Sequence, residues 1–185
     1  MNRAAFIYDA VRTPRGKGKN SGALHEVKPV DLMGGLLKSI QVRNHLDTSK
    51  VDDFVAGCNH PVLEEGCNIA RTAVLAAGWD QSIPGVQIER HCGSALAAIN
   101  MVAANVMCGW NDLAVAGGIE SMSRVPMGSA TGPWTDDPAT SLKVGFVPMG
   151  IAADLQATME GFTREDVDAY ALTSQQKAAA AQAKG

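Results

Sequence analysis

The chain has 185 residues, 46% of them hydrophobic, which is enough to bury the core of one large domain. Its 16 basic and 19 acidic residues give a net charge of −3, so it lacks the broad positive field that nucleic-acid binding requires. The opening MNRAAFIYDA lacks the pattern of a secretory signal, and no window reaches the apolar length of a membrane-spanning helix. We therefore expect a globular, cytoplasmic protein that binds neither nucleic acid nor a membrane.

The first part of the chain alternates predicted strands and helices. AAFIYDAVRTP predicts a short strand, and a glycine-rich loop follows it. From Pro29 to Leu46 apolar residues recur at steps of three and four, which predicts an amphipathic helix. VDDFVAG predicts a second strand, and NIARTAVLAAG predicts a helix that stops at Gly78, a residue suited to a left-handed cap.

The same alternation continues further along the chain. PGVQIER predicts a third strand that runs into HCGSALAAINMVAANVMCG, whose small and apolar residues predict a buried helix ending at Gly109. NDLAVAGG predicts a fourth strand. Strands and helices that alternate in this way are typical of an α/β layered fold with a mainly parallel sheet.

After ESMSRVP the sequence changes character. MGSATGPWTDDPATSLKVGFVPMG is rich in Gly, Pro, Ser and Thr and has no clear period, which indicates an excursion from the core. The tail GFTREDVDAYALTSQQKAAAAQAKG predicts a long helix with Thr163 and Asp166 forming a capping box at its start and Gly185 at its natural stop.

The cysteine pattern predicts free thiols. Cys58, Cys67, Cys92 and Cys108 form no CxxC pair, so neither a zinc site nor a disulfide framework is expected. Cys92 is the candidate nucleophile because it lies where a predicted strand meets the first turn of a predicted helix. The unpaired amides and the positive dipole end of such a turn stabilise a thiolate. Small neighbours leave room for a substrate carbonyl, which suits acyl transfer; they are Gly93, Ser94 and Ala95.

The other chemically capable residues are expected to have structural roles. Cys67, near a helix start, is the one rival nucleophile. No histidine has a context that places it beside Cys92 as a general base; the candidates are His25, His45, His60 and His91. His91 is adjacent, but successive residues of a strand face opposite sides, so we expect a packed or surface side chain. Glu120 is expected to pair with its neighbours, and the glycines before it lack a dinucleotide fingerprint.

Several motifs in order resemble the thiolase family: AVRTPRGKGKNSGALHEVKPVDL, VDDFVAGCNHPVLEEGCNIARTAVLAAG, IERHCGSALAAI, NDLAVAGGIESMSRVP and the chain from VPMG onward. The resemblance covers the whole chain. It implies an α/β, thiolase-like layered fold of which this chain is the N-terminal half. Residues 1–120 would form its αβα core domain, and residues 121–185 would be the start of an inserted loop domain and the helix that follows. The C-terminal half would be absent.

The resemblance also assigns site residues. Cys92 would be the acylated cysteine, its own amide contributing to the oxyanion site, and Met149 in VPMG would lie near the acyl group and the pantetheine end of coenzyme A. In the family an activating histidine, an asparagine-held water and a second cysteine belong to the C-terminal half, and none lies in residues 1–185. The chain alone is therefore expected to be inactive in turnover, unless a companion chain supplies that half.

The activity implied is thiolytic cleavage of 3-ketoacyl-CoA to acetyl-CoA and a shortened acyl-CoA, or the reverse Claisen condensation, through an acyl-Cys92 intermediate. Coenzyme A is then a substrate, no cofactor or metal is needed, and the enzyme would be a dimer or tetramer acting in fatty acid degradation (β-oxidation). Pro148 favours the degradative members, whereas Ala95, Glu89 and Asp154 depart from the family's usual Gly, Asn and Asn. A methyl group at Ala95 is expected to narrow the space beside the thiolate. Two alternatives stay open: a non-catalytic subunit or fragment that associates with a partner chain, and a condensing enzyme of the ketoacyl synthase type.

Overall fold

A computed structural model describes residues 3–184 of the chain. The chain forms two compact units, one reaching to Thr131 and the other starting at Gly132, and each is described by itself. The division of the sequence at 120/121 stays a prediction.

The first unit is built on a parallel sheet. Its strands are β1 (Asp53–Gly57), β2 (Val86–Ile88) and β3 (Ala114–Gly118), in the order β2-β1-β3. Val55 of the central strand lies opposite Val86 on one side and Ala116 on the other. The apolar run of β1 is buried almost completely, as is typical of a parallel strand covered on both faces. The expected α/β fold with a parallel sheet is confirmed.

Three helices cover this sheet: α1 (Pro29–Asn44), α2 (Ile69–Ala76) and α3 (Ser94–Cys108). Short 3-10 turns at Thr48–Lys50 and Leu63–Glu65 connect the elements. α1 ends before Leu46 because His45 takes a left-handed conformation as its cap. The predicted stops at Gly78 and Gly109 are confirmed, since both glycines have a positive φ.

The core lies on both faces of the sheet. On one face, α1 and α2 pack against Phe54 and Ala56 in a cluster that also contains Trp79 and Ile83. On the opposite face, α3 packs against Val55; its contacts there are Ala98 and Val102. The alternation along β1 thus sends successive side chains into two cores, which gives the expected αβα layers.

The predicted N-terminal strand is wrong. Residues 3–16 contain no strand, and the side chains of Phe6, Ile7 and Tyr8 are exposed. A strand needs a neighbour for its ladder hydrogen bonds, and among residues 3–184 no strand pairs with this segment. Side-chain contacts hold it instead: Asp9 accepts from Asn44 at 2.8 Å and forms an ion pair with Arg43 at 3.2 Å.

The expectation about apolar windows also needs correction. The window His91–Cys108 is long and apolar enough to cross a membrane by length and composition alone, because α3 carries no charged side chain. Its inner face packs on β1 as a core helix does. The helix is not buried all round, since Leu96, Ile99 and Met107 are exposed.

The second unit is helical. It contains α4 (Pro133–Asp136), α5 (Pro138–Val144), α6 (Met149–Glu160) and α7 (Arg164–Lys184), of which only α7 was predicted. The capping box of α7 is confirmed: the Thr163 amide donates to Asp166 at 2.9 Å, and the Asp166 amide donates to the Thr163 hydroxyl at 3.2 Å. The predicted stop at Gly185 lies outside the described residues.

Candidate functional site

Cys92 lies at the tip of a tight turn between β2 and α3. The Gly93 amide donates to the Arg90 carbonyl at 3.0 Å, and the Ser94 amide donates to the His91 carbonyl at 3.1 Å. Gly93 is the N-cap of α3, so Cys92 lies just before the helix, at the junction of strand and helix that the sequence predicted. The two turn hydrogen bonds are the reason, because they close the chain before the helix begins. The Cys92 side chain is exposed.

The ends of β1 and β3 fix the start of α3. A methyl group on Gly57 would overlap the Ser94 carbonyl carbon and the Ala95 amide nitrogen, so the strand and the helix are in direct backbone contact. A methyl group on Gly118 would lie 2.6 Å from the Ala95 Cβ. The Cys92 turn therefore leads directly into a helix start that rests on the carboxyl edge of the sheet, where open α/β sheets bind their ligands.

This contact also shows where the Ala95 methyl group lies. It points at the end of β3, where Gly118 leaves the room that it needs. The departure from the family's glycine at this position is accommodated by a glycine on the neighbouring strand.

His91 is an exposed residue whose backbone is left-handed, with a φ of 46°. Its amide donates to the Glu89 carboxylate, and its Nδ1 lies 3.1 Å from the same oxygen. Glu89, which departs from the family's usual asparagine, thus holds the residue that precedes Cys92. The expectation of a surface histidine is confirmed.

A cluster of polar side chains joins the segment after β1 to the segment after β3. The sequence did not predict this cluster. Glu120 accepts from the Asn59 amide at 2.8 Å and lies 2.7 Å from the His60 Nδ1. The His60 Nε2 accepts from the Gly128 amide at 3.1 Å, so Nδ1 carries the proton and donates it to Glu120. Glu120 pairs with its neighbours, as expected. The signal available in the sequence was that polar residues directly follow two strands.

The same cluster contains two buried ionisable groups, the carboxyl group of Glu65 and the thiol of Cys58. The Glu65 carboxylate accepts from the Ser121 amide, and its other oxygen lies 3.8 Å from the Cys58 Sγ. Burial raises the pKa of Glu65 to about 7, against which the Ser121 hydrogen bond acts. Burial, helped by the neighbouring charges of Glu65 and Glu120, raises the pKa of Cys58 to about 12. Cys58 is therefore a protonated thiol, and its expected structural role is supported.

The donor atoms of Cys58, Glu65 and Glu120 lie within 4.8 Å of one another, a geometry in which a metal ion could bind. Spacing along the sequence could not reveal this group, because it comes from three segments. Each carboxylate oxygen already accepts a hydrogen bond, from the Ser121 and Asn59 amides, the Cys58 thiol and His60. The cluster is thus complete as a hydrogen-bonded network, and this network ties the two segments together.

The other predicted site residues are Cys67, Cys108 and Met149. Cys67 is exposed in a left-handed conformation just before α2, and Cys108 is the last residue of α3. All four cysteines are free thiols, as expected. Met149 is the first residue of α6, is 74% exposed and belongs to the second unit, whereas Cys92 belongs to the first. Its role beside the acyl group stays a prediction.

Comparison with known proteins identifies relatives along almost the whole chain. The chain is 39% identical to a β-ketoadipyl-CoA thiolase of Escherichia coli, over 99% of this chain and 49% of that protein. It is 36% identical to a 3-ketoacyl-CoA thiolase of Shewanella loihica, over 99% of this chain and 47% of that protein. The chain therefore spans about half the length of the curated relatives it matches.

Structure comparison agrees. The fold is similar to the crystal structure of the Bacillus anthracis acetyl-CoA acetyltransferase, with a TM-score of 0.73 and 31% sequence identity, over 89% of this chain and 44% of that chain. The family model described as "Thiolase, N-terminal domain" matches residues 5–185. With the αβα core and the Cys92 turn at its sheet edge, these matches show that the chain belongs to the thiolase family.

Proposed function

We propose that this chain is the nucleophile-bearing half of an acyl-CoA acyltransferase, and that Cys92 is the residue that becomes acylated. The observation that carries the proposal is the placement of an exposed cysteine on a closed turn, at the start of a helix that rests on the carboxyl edge of a parallel sheet. Of the four cysteines, Cys58 is excluded as the nucleophile because its pKa of about 12 keeps it protonated. Cys108 ends its helix, where the dipole disfavours a thiolate.

The proposed reaction proceeds in two steps. The Cys92 thiolate attacks the 3-keto carbon of a 3-ketoacyl-CoA, and the bond between C2 and C3 breaks. The electron pair leaves with acetyl-CoA as an enolate, which takes up a proton. The thiol of free coenzyme A then attacks the acyl carbon and loses its proton, and Cys92 departs as a thiolate. One C–C bond is exchanged for a C–S bond, so the scheme needs neither a redox cofactor nor a metal.

The names of the relatives support a proposal for the substrate class. Proteins named for 3-ketoacyl-CoA and for β-ketoadipyl-CoA are similarly close to this chain, and both names describe 3-keto thioesters. We propose a 3-ketoacyl-CoA as the substrate in the cleavage direction, as in fatty acid degradation, with the Claisen condensation as the reverse reaction. Met149 is proposed to contact the acyl group and the pantetheine arm.

The proposal requires groups beyond the described residues. The reaction needs a base that deprotonates the Cys92 thiol and a group that protonates the acetyl-CoA enolate, or deprotonates acetyl-CoA in the reverse direction, and the histidine nearest to Cys92 in sequence is engaged by Glu89. We propose that a second half, present in the relatives, supplies them, in the same protein or on a companion chain. We propose a dimer or tetramer from the family. We propose a location in the cytoplasm because the four free thiols fit a reducing compartment.

The test is acylation of the protein. After incubation with acetoacetyl-CoA and a second chain that covers the remaining half of the relatives, mass spectrometry of the tryptic peptide 91–124 should show one acetyl increment, and fragment ions should assign it to Cys92 and not to Cys108. Cys92→Ala should abolish the increment, while Cys67→Ala should leave it unchanged. An adduct that persists in Cys92→Ala would overturn the assignment.

The second candidate is a non-catalytic subunit that binds acyl-CoA. The observation in its favour is that His91, the histidine adjacent to Cys92, is engaged by Glu89. Saturable binding of acyl-CoA, measured by calorimetry, without an increment on any cysteine would support this candidate over the first. Addition of a second chain that covers the remaining half of the relatives would then decide whether turnover appears.

A further inference from the structure

Ser94 is the first residue of α3 and is almost fully buried, with 4% of its surface exposed. We propose that it is the positioning residue of Cys92: its hydroxyl group closes the turn that presents the thiol. This inference rests on the proposed role of Cys92 as the nucleophile.

The hydroxyl group of Ser94 bonds to both residues that precede Cys92. It accepts a hydrogen bond from the Arg90 amide at 2.8 Å and donates one to the His91 carbonyl at 2.6 Å. Residues 90–94 therefore form a closed loop. The Ser94 side chain bonds to Arg90 and His91, and Cys92 lies between these two residues and Ser94 in the chain. These bonds fix the two residues before Cys92 to the first residue of the helix.

Ser94 is itself held by the sheet. Its carbonyl carbon and the amide of Ala95 lie so close to Gly57 that a methyl group there would overlap them. Because Gly57 is the last residue of the central strand, the position of Ser94 is set by the core of the first unit. Through the hydrogen bonds of its hydroxyl group, Ser94 holds the turn in place relative to this core.

The turn needs such support because its backbone is strained. His91 has a φ of 46°, which is unfavourable for any residue with a Cβ, and such conformations persist only where the surroundings hold them. Without the hydroxyl group, the Arg90 amide loses its side-chain acceptor and the His91 carbonyl loses one of its two donors. His91 can then relax toward an extended conformation, and Cys92 moves away from the start of α3.

The test measures the alkylation of Cys92 against reference cysteines in the same molecule. Iodoacetamide is added to the full chain, and mass spectrometry follows each cysteine. Exposed Cys67 provides the reference rate, and Cys58, which is 1% exposed, reports unfolding by becoming reactive. In Ser94→Ala the ratio of Cys92 to Cys67 alkylation should fall at least about fivefold, the factor that corresponds to one lost hydrogen bond, while Cys58 stays protected.

Two further variants separate positioning from packing. Ser121→Ala removes another buried serine hydroxyl, one that makes no hydrogen bond to residues 90–94, and should leave the ratio unchanged. Ser94→Thr keeps a hydroxyl group and should restore the ratio to within about twofold, well inside the loss expected for a missing hydrogen bond. An unchanged ratio in Ser94→Ala with Cys58 protected, or an equal loss in Ser94→Thr with Cys58 protected, overturns the proposal.

If either Ser94 variant exposes Cys58, hydrogen exchange on the unmodified chain decides. The Arg90 amide should exchange slowly because it donates to the buried hydroxyl, and exchange at the rate of an unprotected amide overturns the proposal. Alkylation uses no acyl-CoA, so it tests the turn independently of the reaction. A chain that alkylates as expected but forms no acyl adduct in the presence of the second half would refute the proposed function and leave the role of Ser94 in place.

Discussion

Glu65 has no exposed surface, and its carboxylate accepts hydrogen bonds from the Ser121 amide and the Cys58 thiol. Burial raises its pKa from the ordinary 4.5 to about 7, so the folded protein holds this proton more tightly than the unfolded chain does. The resulting stabilisation is complete below pH 4.5 and is lost as the pH rises toward 7. Above pH 7 the folded protein carries a buried charge.

Glu65→Gln should therefore be more stable than the unmodified protein at pH 8 and not at pH 4.5. Glutamine keeps the shape and an oxygen for the Ser121 amide but does not ionise. The difference in the free energy of unfolding between the variant and the unmodified protein should change by about 3 kcal/mol between pH 4.5 and pH 8, as the shift in the pKa of Glu65 implies. Urea unfolding at both pH values measures it; a difference that does not vary with pH would contradict the assignment.

Glu64→Gln is the matched control for this measurement. Glu64 lies at the surface, and its hydrogen bond with Arg124 at 2.8 Å lowers the pKa of its carboxyl group. A carboxyl group with a lowered pKa stabilises the folded state at pH values above its ordinary pKa. This stabilisation is lost as the pH falls through the lowered pKa. The Glu64 variant should thus be less stable than the unmodified chain at pH 8 and equal to it under acidic conditions, opposite in sign to the Glu65 variant.

The close contact between β1 and α3 depends on the absence of a side chain at Gly57. Gly57→Ala places a methyl group against the backbone of the first turn of α3, which no rotamer change can relieve. We expect a loss of about 1–3 kcal/mol in the free energy of unfolding, as for other overpacked cores. Gly117→Ala is the control, because nothing lies within 4 Å of its added methyl group. Denaturant titration compares them, and equal stabilities would refute the close approach.

The capping box of α7 gives a second prediction for an element. Thr163→Ala removes the acceptor of the Asp166 amide and should destabilise the helix start by about 1 kcal/mol. Thr173→Ala is the control: its hydroxyl bonds to Ala169 within the helix, where alanine is the better helix former. Hydrogen exchange should therefore speed up at residues 164–168 in the first variant and slow down or stay constant in the second. Faster exchange in both variants would show that the box has no special role.

The elements that the sequence predicted are those with a local signal. The three paired strands and α1, α2, α3 and α7 have clear periods, glycine stops or caps. The N-terminal segment has the composition of a strand, but a strand also needs a neighbour, which composition does not show. Directly after the excursion, α6 had a usable signal in Ile151 and Leu155, four residues apart, with Gly161 as its stop.

The candidate site was predictable only in part, for the same reason. Cys92 stands out because a strand and a helix flank it. That it precedes the helix depends on turn hydrogen bonds among residues 90–94, which compete with helical ones and cannot be ranked from residue types. The network of Cys58, Glu65 and Glu120 joins residues up to 62 positions apart, and only the parallel register of β1 and β3 brings them together.

The molecule as a whole has an uneven distribution of buried side chains. Both apolar clusters lie in the first unit, whereas none of residues 132–184 is buried. Burial of apolar surface is the main source of stability, so the helices of the second unit depend on local hydrogen bonds and caps. The relatives match both units, which shows that this exposed unit is a regular part of the family's N-terminal domain.

Limited trypsin digestion should therefore cut the second unit before the sheet domain of the first. Proteolysis requires local opening, and segments with few buried contacts open at the lowest free energy. Cleavage after Lys143, Arg164 and Lys177 should precede cleavage after Arg71, whose guanidinium donates to the Ile83 and Gln81 carbonyls inside the first unit. The exposed N-terminal segment should also be cut early, so a fragment of residues 20–143 should accumulate in a mass-spectrometric time course. Cleavage after Arg71 at the rate of Lys177 would instead mean that the stability of the first unit is no greater than that of the second.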